Sequence, residues 1–162
     1  MKSWIELKIA ADWHRAATHI AGWQMLGQQV VFTNGCFDLL HYGHFQYLTE
    51  ARSLGNKLVV GINADASVRR LKGNSRPILD ERARLFAMAS LLVVDMVVLF
   101  EQDTPLDLIT TLHPDILVKG GDYTPDQIVG ADAVLARGGQ VRSLPFVEGY
   151  STTAMLTKQN DL

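Results

Sequence analysis

The chain predicts an α/β protein, a doubly wound, Rossmann-like parallel sheet of five strands with helices on both faces. Three observations carry this expectation. Candidate strands lie at 29–33, 57–63, 95–100, 115–119 and 140–144, and four of them contain short runs rich in Val, Ile or Leu. Such near-continuous apolar runs suit strands covered on both faces. Helical patterns separate the strands, and regular alternation favours right-handed crossovers. A glycine-bearing turn follows the first strand, at the end where open parallel sheets bind ligands.

The elements follow in order. Residues 1–28 read as a helical arm, with Trp4, Ile5, Leu7, Ile9, Trp13, Ile20, Trp23 and Leu26 as apolar surface. Its sequence carries no chemistry. A single domain is expected over 29–162. After the first strand, a helix over 43–54 ends at Gly55, a plausible C-terminal cap. A helix over 80–92 turns Leu85, Phe86, Met88 and Ala89 inward. Thr104 and Pro105 read as N-cap and first position of the next helix. Further helices are expected over 125–136, before Gly138-Gly139, and over 151–158.

Composition narrows the class. The chain has 162 residues, 48% hydrophobic and 20% charged, with net charge −2. That is ordinary for a soluble globular protein, and nothing global favours nucleic acid or an anionic membrane. The single cysteine, Cys36, excludes an internal disulfide and a cysteine-cluster zinc site. No stretch approaches ~18 uninterrupted apolar residues, so no membrane span is expected. The N-terminal residues lack the apolar core of a signal peptide, and a cytoplasmic location is expected.

The densest chemistry lies in Thr33-Asn34-Gly35-Cys36-Phe37-Asp38-Leu39-Leu40-His41-Tyr42-Gly43-His44. Backbone N–H groups at a turn and a helix start suit a polyphosphate. Small residues at Asn34, Gly35 and Cys36 let a ligand approach the backbone. His41 and His44 add donors without a permanently buried charge. Two histidines three apart also fit zinc, or a mere helix cap, but no third ligand is evident. Asp38 either holds the turn or assists a magnesium ion through water, the turn role being the safer. Cys36 has no evident activating base and is read as a small turn residue.

A basic cluster follows: Arg69, Arg70, Lys72, Arg76, Arg82 and Arg84. It spans the loop 71–77, which follows a strand end and contains Gly, Ser and Pro. Charge clusters are usually solvated faces, yet a phosphorylated second substrate needs cations to offset repulsion between two polyanions. Arg69, Arg70 and Arg84 are read as plausible surface residues. The strand over 115–119 runs into Lys119-Gly120-Gly121-Asp122, a nucleoside-facing turn or simply a loop with a surface lysine. Gly149-Tyr150-Ser151-Thr152-Thr153 precedes the last helix and offers hydroxyls and N–H groups, or only a Ser151 cap.

The ordered pattern TNGCFDLLHYGH resembles the T-x-G-x-F-D-x-x-H-x-G-H signature of the small cytidylyltransferase-like nucleotidyltransferases. Over residues 29–158 the chain is more closely similar to the adenylyltransferases that make ADP-heptose. The stretches 63–67, 70–77, 100–105, 117–123 and 148–153 carry that likeness. The resemblance implies a sheet of the HxGH nucleotidyltransferase type. It implies ATP and D-glycero-β-D-manno-heptose 1-phosphate as substrates, with Mg2+ accompanying ATP and held mainly by its phosphates. It also implies a homodimer and, with no kinase region in view, a stand-alone form. His41, His44 and Lys72 would act on the phosphates. Thr33, Asn34, Gly35, Cys36, Phe37, Lys119, Gly120, Gly121, Asp122, Ser151, Thr152 and Thr153 would bind the nucleotide. Lys72, Arg76 and Arg82 would hold the sugar phosphate. No direct protein ligand for metal is implied. Glycerol-3-phosphate cytidylyltransferases carry an arginine three residues before the glycine of the last motif. Phe146 stands there in this chain, which counts against that specificity.

Overall fold

A computed structural model describes residues 1 and 3–160. Lys2, in the predicted arm, and residues 161–162, at the end of the predicted domain, lie outside them. Five parallel strands form one sheet: β1 (Val30–Gly35), β2 (Lys57–Asn63), β3 (Met96–Phe100), β4 (Ile116–Gly120) and β5 (Gln140–Leu144). Their spatial order is β3-β2-β1-β4-β5. The chain leaves β1 toward one edge, then crosses to the other side for β4. β1 is therefore flanked by strands reached in opposite directions, and the crevice above it is the switch point.

Alternation within the strands splits the core in two. On one face Val30, Phe32, Val59, Val98 and Leu117 pack against α1 (Trp13–Met25), α5 (Leu106–Leu112) and α6 (Ala131–Ala136). On the other, Val31, Leu58, Val60, Val97 and Val118 pack against α2 (Tyr42–Ser53) and α4 (Glu81–Ala89). Residues one apart on a strand point to opposite faces, so both sets must be apolar. Each such fully buried Leu, Ile or Phe stabilises the fold by about 2 kcal/mol relative to exposure.

Several local expectations shift. The arm is not continuously helical. Glu6–Lys8 is a 3-10 turn, and Ile9 bridges to Val97 at the free edge of β3. The Ala10 N–H donates to the Val97 carbonyl at 2.9 Å. Asp12 then caps α1 by accepting from the Arg15 N–H. Ala16 and Ile20 of α1 are fully buried in the first core cluster, so the arm packs on the domain. An additional helix, α3 (Asp65–Lys72), occupies the region read as part of a basic cluster and loop. Its buried side is only Ser67 and Val68, too short an apolar stripe to stand out beside Arg69, Arg70 and Lys72.

Gly55 is not a left-handed cap. It is glycine because a Cβ there would lie 2.8 Å from Val31 Cγ2 and 2.9 Å from the Gln29 carbonyl. α5 starts one residue later than predicted, with Pro105 at the cap position and no side-chain cap. The helix expected over 125–136 is divided into a 3-10 turn, Pro125–Gln127, and α6, because Gly130 takes φ 87° between them. The closing helix, α7, spans Thr152–Asn160.

Candidate active site

A cleft of about 830 Å³ opens above the carboxyl ends of the strands. Its walls come from the carboxyl ends of β1, β2 and β4 and from the segments after β1, β3 and β5: Asn34–Asp38, Asn63, Lys119–Gly120, Asp103–Pro105 and Phe146–Val147. α2 contributes His44 and Tyr47, α3 contributes Lys72, and the start of α7 contributes Thr152 and Thr153.

The β1–α2 turn is held from below. Asp38 is 2% exposed. Its carboxylate accepts from Arg76 Nε at 2.7 Å and from the N–H groups of Ile78 and Leu79 at 2.9 Å. Burial pushes the Asp38 pKa upward, but the Leu79 and Ile78 N–H groups and the Arg76 guanidinium outweigh it and hold it below the usual value. Asp38 is thus a tether between the turn and the segment before α4. Phe37 sits at φ 45° and sets its ring edge-on to His44, with centroids 5.1 Å apart.

His41 occupies the N-cap position of α2 in extended backbone, without capping through its side chain. One turn of helix brings His44 over it, and the two imidazoles stack with centroids 3.8 Å apart and planes 25° apart. Neither Nδ1 has a hydrogen-bond partner among the described residues. Burial lowers the His41 pKa. Burial first, then the positive charges of His41 and Lys72, push His44 down to about 4, against an opposing pull from the Leu39 backbone. Two neutral rings therefore face the cleft at neutral pH. Beside them the first N–H groups of α2 lack intrahelical partners. The arrangement is a donor set that an anion can strengthen by raising the histidine pKa values.

Other predicted residues are placed variously. Asn34, Gly35, Cys36 and Phe37 line the cleft. Thr33 does not: its side chain is fully buried, and its hydroxyl shares a hydrogen bond with the Tyr47 hydroxyl at 2.6 Å. Burial drives the Tyr47 pKa up to about 12, so that pair stays uncharged. Lys119 and Gly120 line the cleft; Gly121 is buried behind them and Asp122 is exposed beyond. Ser151, Thr152 and Thr153 line it too, and the Ser151 hydroxyl accepts from the Ala154 N–H at 3.0 Å as a cap.

The basic residues separate sharply. Lys72 ends α3 and reaches the cleft. Arg76 is committed to Asp38, and Arg82 is exposed outside the cleft lining. Arg70 pairs with Asp103 at 2.8 Å on the surface. Arg84, read as a plausible surface residue, is instead 1% exposed and braces the floor. Its guanidinium donates to the carbonyls of Cys36, Asn63 and Leu79 and to Asp65. The sequence reading missed Asn63, Asp103, Thr104 and Tyr123 as lining residues. The signal for the first three was available, since each lies at or just past a strand's carboxyl end.

No three His, Cys, Asp or Glu side chains converge as a metal cage among the described residues. Both Asp38 oxygens are already occupied. The described residues therefore offer no protein cage for a magnesium ion. No helix among the described residues is long and apolar enough to cross a membrane.

Comparison with known proteins agrees with the sequence pattern. The cytidylyltransferase-like family matches residues 32–156. Bifunctional protein HldE of Trichlorobacter lovleyi is 60% identical over 139 residues, covering 86% of this chain and 28% of that protein. Bifunctional protein HldE of Magnetococcus marinus is 55% identical over 148 residues, covering 91% of this chain and 30% of that protein. The chain thus spans under a third of the length of these curated relatives. Among solved structures, a lipopolysaccharide core biosynthesis protein from Thermoplasma volcanium is 32% identical with a TM-score of 0.60, covering 77% of this chain and all of that one. Pantoate-beta-alanine ligase from Francisella tularensis, 13% identical, has a TM-score of 0.59 over 94% of this chain and 76% of that one. That second likeness bears on the fold alone.

Proposed function

The chain belongs to the cytidylyltransferase-like family of nucleotidyltransferases, and from that premise we propose that it transfers the adenylyl group of ATP to D-glycero-β-D-manno-heptose 1-phosphate. The products are ADP-heptose and pyrophosphate. The observation that carries this reading is the meeting, in one cleft, of the stacked His41–His44 pair, Lys72 and the Ser151–Thr153 helix start. The similarity to bifunctional HldE proteins and the heptose-type stretches of the sequence support the choice of acceptor.

The chemistry follows from the donors. A sugar phosphate oxygen attacks the α-phosphorus in line, forming one P–O bond as the bond to pyrophosphate breaks. Such transfers depend on positioning and charge stabilisation more than on a protein nucleophile. His41 and His44 donate to the phosphate oxygens whose charge grows. Lys72, at the end of α3, holds the incoming sugar phosphate. Asn34–Phe37, Lys119 and Gly120 flank the nucleoside, and Thr152 and Thr153 offer hydroxyls and N–H groups to the phosphates. A magnesium ion carried by the triphosphate of the ATP substrate would screen its charge. Thr33, Arg76 and Arg84 act from beneath, by holding these segments.

In this reading residues 1–28 are a packing arm on a nucleotidyltransferase unit of 29–162. The enzyme works in the cytoplasm as a homodimer, for which the exposed Trp4 and Leu7 offer apolar surface. Its product supplies lipopolysaccharide core or a related heptose-containing glycan. The test is pyrophosphate release with magnesium and the heptose 1-phosphate, comparing ATP with CTP, GTP and UTP. Turnover with ATP alone is expected. A preference for CTP with an alcohol phosphate would replace this reading with a cytidylyltransferase. Nucleotide binding without pyrophosphate release for any donor would replace it with a regulatory binding module.

A further inference from the structure

We propose that Phe146 is a specificity-determining residue that packs its ring on the nucleobase and favours a purine, an inference that rests on the adenylyl reading above. Phe146 lines the cleft and is nevertheless 72% exposed. A large aromatic side chain left open on a cleft wall is apolar surface that a ligand can cover.

Its placement is specific. Phe146 follows β5 by two residues and leans against the backbone of Gly120 and Gly121. A Cβ at Gly120 would stand 2.9 Å from Phe146 Cε1, and one at Gly121 would stand 3.2 Å from Phe146 Cε2. The Tyr123 ring lies against Gly121, 2.6 Å from the Cβ that Gly121 lacks. The Phe146 and Tyr123 rings thus line the cleft beside the side-chain-free backbone of Gly120, with Gly121 buried behind it.

That wall is stiff. The Gly121 N–H donates to the Leu144 carbonyl at 2.8 Å, and the Tyr123 N–H donates to Ser143 Oγ at 3.1 Å. The Ser143 hydroxyl in turn donates to the Gly121 carbonyl. The segment after β4 is therefore sewn to β5 before any ligand arrives, and little ordering is required on binding. A flat base presents a π-face that such a ring accepts. A bicyclic purine covers more of the wall than a pyrimidine does. Of the other donors that line the cleft, His41 and His44 come from the start of α2 and Lys72 from the end of α3, while Lys119 stands beside Gly120 at the edge of this wall.

The test compares wild type with Phe146→Ala, Phe146→Leu and the conservative Phe146→Tyr. Steady-state kinetics should show the KM for ATP rising about tenfold or more in the Ala and Leu variants. Their kcat should stay within about threefold of wild type, the signature of lost ground-state binding. Tyr should restore the wild-type KM. Preference for ATP over CTP should narrow in the Ala variant. A second readout is independent of turnover: the fluorescence of 2-aminopurine riboside triphosphate, which stacking quenches. Wild type and Phe146→Tyr should quench it on binding, and the Ala and Leu variants should not. Unchanged KM and undiminished quenching in folded Phe146→Ala would overturn the proposal while leaving the adenylyl reading intact. Phe146-dependent quenching without ATP turnover would do the reverse.

Discussion

Arg84 Nη2 donates to Asp65 Oδ1 at 2.7 Å from a side chain that is fully buried. The same guanidinium reaches the carbonyls of Cys36 at 2.8 Å and Asn63 at 2.7 Å, and Nε reaches that of Leu79 at 3.0 Å. One side chain on α4 thereby joins the ends of β1 and β2 and the starts of α3 and α4. We expect Arg84→Ala to cost about 3 kcal/mol, because it leaves Asp65 and three carbonyls without that partner. For a domain of this size that lowers Tm by roughly 6–12 °C. Arg82→Ala, on the exposed side of the same helix, should change stability by about 0.5 kcal/mol or less. Thermal denaturation of the two variants decides it; equal melting would remove the brace.

Replacing either stacked histidine should strike turnover rather than folding. We expect His44→Ala to lower kcat by about 100-fold or more, as for loss of one transition-state donor. Wild-type turnover in that variant would sink the phosphate role.

The depressed His44 pKa has a consequence for pH. In the unfolded chain the ring gains a proton near its ordinary value of 6.5, whereas in the folded chain it does so only near 4. Between these values the unfolded state binds more protons, so stability falls as pH falls through that window. His44→Asn should flatten this part of the pH–stability curve, measured by urea denaturation. ATP should also bind with proton uptake near pH 6, seen as a buffer-dependent binding enthalpy in calorimetry. A binding enthalpy that ignores buffer identity would mean that the rings stay neutral on the phosphates.

Asp38 works in the same sense, in a more acidic window. Its folded pKa lies below the ordinary 3.8. Its contribution is therefore complete above the unfolded value and disappears as pH drops through the folded one. Asp38→Asn weakens the Arg76 pair and presents fewer acceptors to Ile78 and Leu79. A loss of about 2–3 kcal/mol at neutral pH is expected, disappearing in strong acid. The pH series of denaturation midpoints is the check.

Two glycines with positive φ should respond differently to alanine. Gly73 has φ +93° with nothing within 4 Å of an added Cβ, while Gly121 has φ +115° with the Tyr123 ring at 2.6 Å. Gly73→Ala should cost about 1 kcal/mol of backbone strain. Gly121→Ala should cost more and also weaken ATP binding, because the Tyr123 ring must move. Similar ATP affinities in the two variants would argue against a fixed wall at 120–123.

Four strands were legible because burial on both faces leaves short apolar runs, whereas β5, with Gln140 and Arg142 exposed, lacks one. β2 and β5 begin and end where the pattern places them, and the other three shift by one or two residues. The turn at 33–44 was legible because its chemistry is local: an ordered set of small residues, an aspartate and two histidines on consecutive turns. α3 was not, because eight residues with only Ser67 and Val68 buried carry little periodicity against a run of arginine and lysine.

By itself the sequence determined the α/β class, the parallel sheet and the end of it that carries the site. Local propensity, strand burial and spacing decide these, and all are written along the chain. Only the tertiary structure decided which cations face the cleft. Arg76, Arg82, Arg84 and Lys72 are one residue type or nearly so, a few positions apart. What separates them is the partner that folding brings: Asp38 for Arg76, three carbonyls and Asp65 for Arg84, water for Arg82 and the cleft for Lys72. The same holds for Phe146, whose place on the glycine wall depends on β4 and β5 pairing side by side.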